Sequence, residues 1–190
     1  AAERAALRGG PLPLRIFNTY AAFDATGHDA LDQAVGAVRE LPAIAGVKFN
    51  VGPNARAAAA YRACIQVAGT RLPAGARLLC ECHPGTMLET PAALAAFVPP
   101  AEPWTFDVIL HPFLDGPELI AAWLSVAGRH AMHAHVQMRD PRNDRVFLSL
   151  ADEPARTREC FAALAAGGFN GTFTLEFSAP TLTARDQPRE

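Results

Sequence analysis

Residue types that bind metals or move protons recur at the ends of short apolar runs. Glu81 and His83 close ARLLCECH, His111 closes FDVILH, His133 and His135 lie in AMHAHVQM, and Glu176 lies in GTFTLEFS. Two imidazoles and two carboxylates make a first shell for one divalent cation. That mixed nitrogen and oxygen set suits Mn²⁺, Zn²⁺ or Co²⁺, and Mg²⁺ less well because of the imidazoles. Each group taken singly has a plainer reading, since a lone strand histidine is more often a hydrogen-bonded core residue. Glu176 within FTLEFS is harder to dismiss, because an unpaired charge among apolar neighbours is costly.

What could bring these groups together is a rhythm of strands and helices. Six β-type runs are expected at 14–20, 46–51, 76–83, 106–111, 131–138 and 171–178, with helices near 29–40, 55–68, 91–98, 117–127 and 153–166. Thr90-Pro91 supplies an N-cap and a first-turn proline, and Gly116-Pro117-Glu118 marks another helix start. Gly167-Gly168 ends the last helix. Alternating strands and helices predict βα units and a parallel sheet, and no linker divides the chain, so 1–190 reads as one domain.

Strand faces decide between an open sheet and a barrel. Phe173, Leu175 and Phe177 oppose Thr172, Thr174, Glu176 and Ser178, while Met132, Ala134, Val136 and Met138 oppose His133, His135 and Gln137. Val47, Phe49 and Val51 likewise oppose Lys48 and Asn50. A doubly covered sheet would be apolar on both faces. One apolar and one polar face fits instead a TIM-type (β/α) barrel, whose chemistry collects at the C-terminal strand ends. The residues above occupy those ends on successive strands. Cys80 and Cys82 fall on the opposite face from Glu81 and read as packing residues, and Asp107 starts its strand at the far end from the site.

Bulk composition narrows the function classes. The chain has 190 residues, is 50% hydrophobic and 19% charged, and carries a formal charge of −2. That balance offers no basic surface for nucleic acid. No apolar run reaches the ~20 residues that span a bilayer. The opening residues lack the pattern of a signal peptide. The four cysteines form no CxxC pair, and reduced thiols in a cytoplasmic protein are expected.

Four blocks carry a family resemblance: LLCECHPGTMLETPAALAAFV, FDVILHPFL, HAHVQMRD and GFNGTFTLEFS. In this order they resemble the xylose-isomerase-like TIM barrels, the superfamily of sugar-phosphate isomerases and epimerases, ketose 3-epimerases and inosose dehydratases, with endonuclease IV as a relative. The resemblance covers about residues 45–178 and implies one divalent metal held by Glu, Asp, His and Glu from four consecutive strands. Carried over, it assigns the metal to Glu81, His111, His135 and Glu176. His111-Pro112-Phe113-Leu114 stands where the family has D-x-x-H, so a histidine replaces the aspartate and Leu114 replaces a substrate-contacting histidine.

The resemblance further implies isomerase, epimerase or dehydratase chemistry on a small sugar, sugar phosphate or polyol through an enediolate, with Glu81 and Glu176 as the acid/base pair. His83, Arg139 and Lys48 are the candidate substrate contacts. Two other readings are a non-catalytic barrel kept as a binding module and an endonuclease IV-like phosphodiesterase, which would need more histidines and a basic groove. A full barrel has eight strands in about 250 residues. Six strands in 190 residues suggest that the first two βα units are lacking, with AAERAALRGG as the tail of the second. Open edges at 14–20 and 171–178 would then favour a homo-oligomer. The expected partners are thus a carbohydrate-like small molecule and a second copy, with neither nucleic acid nor membrane.

Overall fold

The computed structural model describes residues 15–22, 28–40, 44–98, 103–140 and 143–175. In chain order the strands and helices are β1 (Ile16–Ala22), α1 (His28–Glu40), β2 (Gly46–Asn50), α2 (Ala58–Arg71), β3 (Arg77–Glu81), α3 (Pro91–Phe97), β4 (Asp107–Leu110), α4 (Pro112–Asp115), α5 (Pro117–Ala127), β5 (Ala131–Val136), β6 (Met138–Asp140), β7 (Asn143–Leu148), α6 (Pro154–Ala166) and β8 (Thr172–Leu175). Six strands form one sheet in the order β1-β2-β3-β4-β5-β8, and β6 and β7 form a separate antiparallel hairpin. The chain divides into two compact units, 1–108 and 109–190.

In the first unit β1, β2 and β3 pair in parallel. Their apolar side chains pack under the helices, with Val47, Phe49, Ile65, Cys80, Leu94 and Val108 fully buried. Phe106 meets Phe49 and Phe97 edge to face, each with ring centres 6.0 Å apart. α3 starts as its sequence predicts, with Pro91 in the first turn and the Thr90 hydroxyl accepting from the Ala93 amide at 3.1 Å. On the other face of β2, Gly46 leaves room for a neighbour. A Cβ there would stand 2.5 Å from Leu79 Cδ1. Leu79 thus fills the layer beneath Lys48 and Glu81.

At the start of the strands Asp107 is fully buried and its Oδ2 lies 2.6 Å from Arg77 Nε. Arg77 opens β3 and Asp107 opens β4, so this ion pair belongs to the strand ends opposite Glu81.

The second unit is built on β5 and β8, again parallel. Ile120, Trp123, Leu124 and Ala127 form the buried stripe of α5. Gly116 precedes that helix at φ 91°, a conformation that only glycine adopts without strain, and Pro117 follows at its first position. α6 ends at Gly167, whose amide donates to Ala163 O at 3.0 Å, and Gly168 sits at φ 75°.

Three details differ from the sequence reading. The run 131–138 breaks at Gln137 into β5 and the hairpin strand β6. Pro112 starts the unforeseen short helix α4 directly after His111, and Arg156 donates to the carbonyls of Phe113 and Leu114 at its end. The apolar side of β8 was expected to lie beneath helices, yet Phe173 and Leu175 are 44% and 59% exposed. Among the described residues no helix is long and apolar enough to cross a membrane.

Candidate metal and acid–base centre

In the first unit the chemistry gathers on one oxygen. Glu81, the last residue of β3, is buried, and three groups converge on its Oε2. Lys48 Nζ lies 2.5 Å away, Asn50 Nδ2 donates at 2.9 Å, and His83 Nε2 stands at 3.8 Å. Parallel register explains the convergence. Lys48 pairs with Leu79 across the β2–β3 ladder, so a long side chain leaning forward from Lys48 reaches the residue two further along β3 on the same face. Both members of the ion pair are buried, and each would be costly to bury without the other.

His83 follows where the backbone leaves the strand, and it is 36% exposed. Its Nδ1 lies 2.6 Å from the carbonyl of Pro84, an acceptor only, so Nδ1 carries the hydrogen and donates. That assigns Nε2 to the side facing Glu81. Cys80 and Cys82 point away from this cluster and are buried free thiols. Burial, with the neighbouring Cys82 thiol adding to it, pushes the Cys80 thiol well above its usual range. This matches the packing role expected for the pair.

In the second unit three imidazoles cluster. His111 directly follows β4, and His133 and His135 share one face of β5. All three are buried. The rings of His111 and His135 meet edge to face with centres 4.8 Å apart, and those of His133 and His135 do so at 5.4 Å. His133 has both nitrogens engaged. Nδ1 lies 2.7 Å from Thr172 Oγ1 and Nε2 lies 2.9 Å from Thr174 Oγ1. Burial lowers its pKa to about 4, with the two neighbouring histidines contributing. A ring with both nitrogens taken by hydroxyls has no lone pair to offer a cation.

Among the described residues of these two clusters the buried groups able to ligate a cation are thus Glu81 in the first unit and His111 and His135 in the second, one carboxylate and two imidazoles, each held within its own unit. In donor chemistry these groups suit a divalent cation of the Mn²⁺, Zn²⁺ or Co²⁺ type. Glu176 lies outside the described residues. Arg139 lies on β6, the strand that follows β5 after one residue. Sequence reasoning missed Asn50, Thr172 and Thr174 as parts of the site. Each shares a strand face with a residue it did single out, and that parity was the available signal.

No family model matches the chain, and no curated protein matches its sequence. Its fold does have solved counterparts. One is the probable 3-DHS dehydratase AsbF involved in petrobactin synthesis from Bacillus anthracis, at a TM-score of 0.70 and 12% identity, covering 93% of this chain and 74% of that one. Another is a D-tagatose 3-epimerase-like protein, at a TM-score of 0.61 and 13% identity, covering 85% of this chain and 69% of that one. At such identities the likeness is one of fold, and it is the TIM-type α/β fold that the strand–helix rhythm predicts.

Proposed function

We propose that this chain, which has the fold of the xylose-isomerase-like TIM barrels, is a divalent-metal-dependent isomerase, epimerase or dehydratase of a small sugar, sugar phosphate or polyol. The observation that carries the proposal is that each unit buries metal-ligating side chains at its strand ends, Glu81 at the end of β3 in the first and the adjoining His111 and His135 in the second. Dehydratase and epimerase-like names among the structural neighbours support the same reaction class.

In this reading Glu81, His111, His135 and Glu176 hold the cation, with Mn²⁺, Zn²⁺ or Co²⁺ favoured over Mg²⁺. When bound, such an ion supplies Lewis-acid stabilisation of negative charge on substrate oxygens. Glu81 and Glu176 handle the proton. One carboxylate removes it from the carbon next to the carbonyl, leaving the electron pair in an enediolate, and the other returns it. Return to the opposite face of the same carbon epimerises, return to the neighbouring carbon isomerises, and loss of a β-hydroxide instead gives dehydration. Lys48 and Asn50 hold Glu81 through Oε2, which fixes the orientation of its carboxylate. His83 and Arg139 contact substrate hydroxyls or a phosphate.

Metal analysis of protein purified without chelator is the first test. About one equivalent of Mn, Zn or Co per chain is expected, lost in His135→Ala and in Glu176→Gln. Solvent deuterium should then enter the acidic C–H position of a ketose or inosose from a screening panel. A folded protein that binds none of these metals and exchanges no proton would overturn the proposal and leave a barrel that serves as a binding module.

A further inference from the structure

The polar network in the second unit assigns a role to a histidine that does not ligate. We infer that His133 is a positioning residue, clamped at both nitrogens by the hydroxyls of Thr172 and Thr174 so that its ring fixes the orientation of His135. The inference rests on the reading of His135 as a metal ligand.

Register makes the clamp specific. β5 and β8 pair with His133 opposite Thr172 and His135 opposite Thr174. Side chains at matching positions of parallel strands share a face, which sets both threonines beside both histidines. The His133 ring bridges them, with Nδ1 at 2.7 Å from Thr172 Oγ1 and Nε2 at 2.9 Å from Thr174 Oγ1. A neutral imidazole has one donor and one acceptor nitrogen, so one hydroxyl accepts and the other donates. Turning the ring over would place carbon atoms at both positions and break both bonds. The ring is therefore held in one orientation, at 87° to the His135 ring and 5.4 Å from it centre to centre. His135 also meets His111, at 81° and 4.8 Å. The middle ring of the three is thus set between one neighbour fixed by hydroxyls and one that follows β4.

The clamp reaches across to a strand of a different kind. Thr172 and Thr174 are exposed, whereas His133 is buried. Two side-chain hydrogen bonds thus add to the main-chain ladder that holds β8 to β5. Partners that orient ligating histidines commonly change metal affinity ten- to a hundredfold when removed.

Cobalt(II) alone, titrated into the metal-free full chain, is the probe. The wild type should give a visible ligand-field band. Thr172→Val with Thr174→Val should shift that band and weaken cobalt binding by about tenfold, and Thr172→Ser with Thr174→Ser should restore both. An unchanged band and affinity in the valine pair overturns the inference. If the pair fails to fold, the two single valine variants are read the same way, each expected to show part of the shift.

A second measurement separates this inference from the function it rests on. Long-range proton–nitrogen spectra of the imidazoles in metal-free protein should show His135 signals that move or broaden in the valine pair and recover in the serine pair. No cobalt band in the wild type sinks the metal reading, and these spectra then decide the positioning role. His135 signals unmoved by the valine pair overturn it.

Discussion

Two parallel strand pairs carry the polar residues of this protein, and they hold them by different physics. On β2 and β3 the contact is ionic, with Lys48 and Glu81 both buried and Asn50 adding a hydrogen bond to the same carboxylate oxygen. On β5 and β8 it is neutral, with a buried histidine between two hydroxyls and a row of imidazole rings. The first pair lies among buried residues, whereas all four described residues of β8 are exposed. A charge can be kept buried only where its partner is buried with it, and the charged contact is found on the pair that burial surrounds. The exposed strand uses hydroxyls, which lose little by meeting water.

That contrast is broken most severely at Lys48. Lys48→Met keeps the length of the side chain but leaves the Glu81 carboxylate buried without its cation. Removing one member of a buried ion pair costs about 3 kcal/mol or more, and urea denaturation at pH 7 should show a loss of that size. Glu81→Gln added to Lys48→Met should recover most of it, because both ends are then neutral. Two losses that simply add would show that Lys48 and Glu81 do not stabilise one another.

A smaller effect separates the neutral cluster. His133 has its pKa lowered to about 4 from an ordinary 6.5, so the folded state favours the uncharged ring. The unfolded chain takes up a proton first as pH falls, which puts full stability above pH 6.5 and loses it progressively toward pH 4. For the metal-free protein the loss from this residue is roughly 2 kcal/mol by pH 5. Denaturation midpoints of His133→Phe measured from pH 7.5 to 5 should fall less steeply than those of the wild type. Equal slopes would remove His133 as the source.

How far the sequence alone reaches follows the same division. Glu81 and His83, His111, and the pair His133 and His135 were legible as strand-end groups because alternation and repeated strand ends place them without knowledge of any partner. Only the family resemblance singled out Glu81 and His135 among them as ligands. The helix starts at Thr90 and Gly116 were legible because capping is a local property. The Lys48–Glu81 pair was not, since it needs the register of β2 against β3, which lies between elements and not within one. The clamp on His133 needs the β5–β8 register in the same way. The β6–β7 hairpin was missed because its strands are short and charged, although Asp140-Pro141 and Asn143-Asp144 were turn signals in plain view.

The least costly change tests the exposed side of the comparison. Leu175 on β8 and Leu78 on β3 are the same residue type in strands of the same sheet, at 59% and 2% exposure. Leu78→Ala removes buried methyl groups and leaves a cavity, a loss of about 3 kcal/mol. Leu175→Ala removes atoms that water already reaches, and less than about 1 kcal/mol is expected. Urea denaturation of the two variants under one set of conditions measures the ratio directly. A loss at Leu175 as large as that at Leu78 would mean that β8 is covered in solution, and dilution of the wild type would then distinguish a second copy of the chain, whose cover is concentration-dependent, from the chain's own residues, whose cover is not.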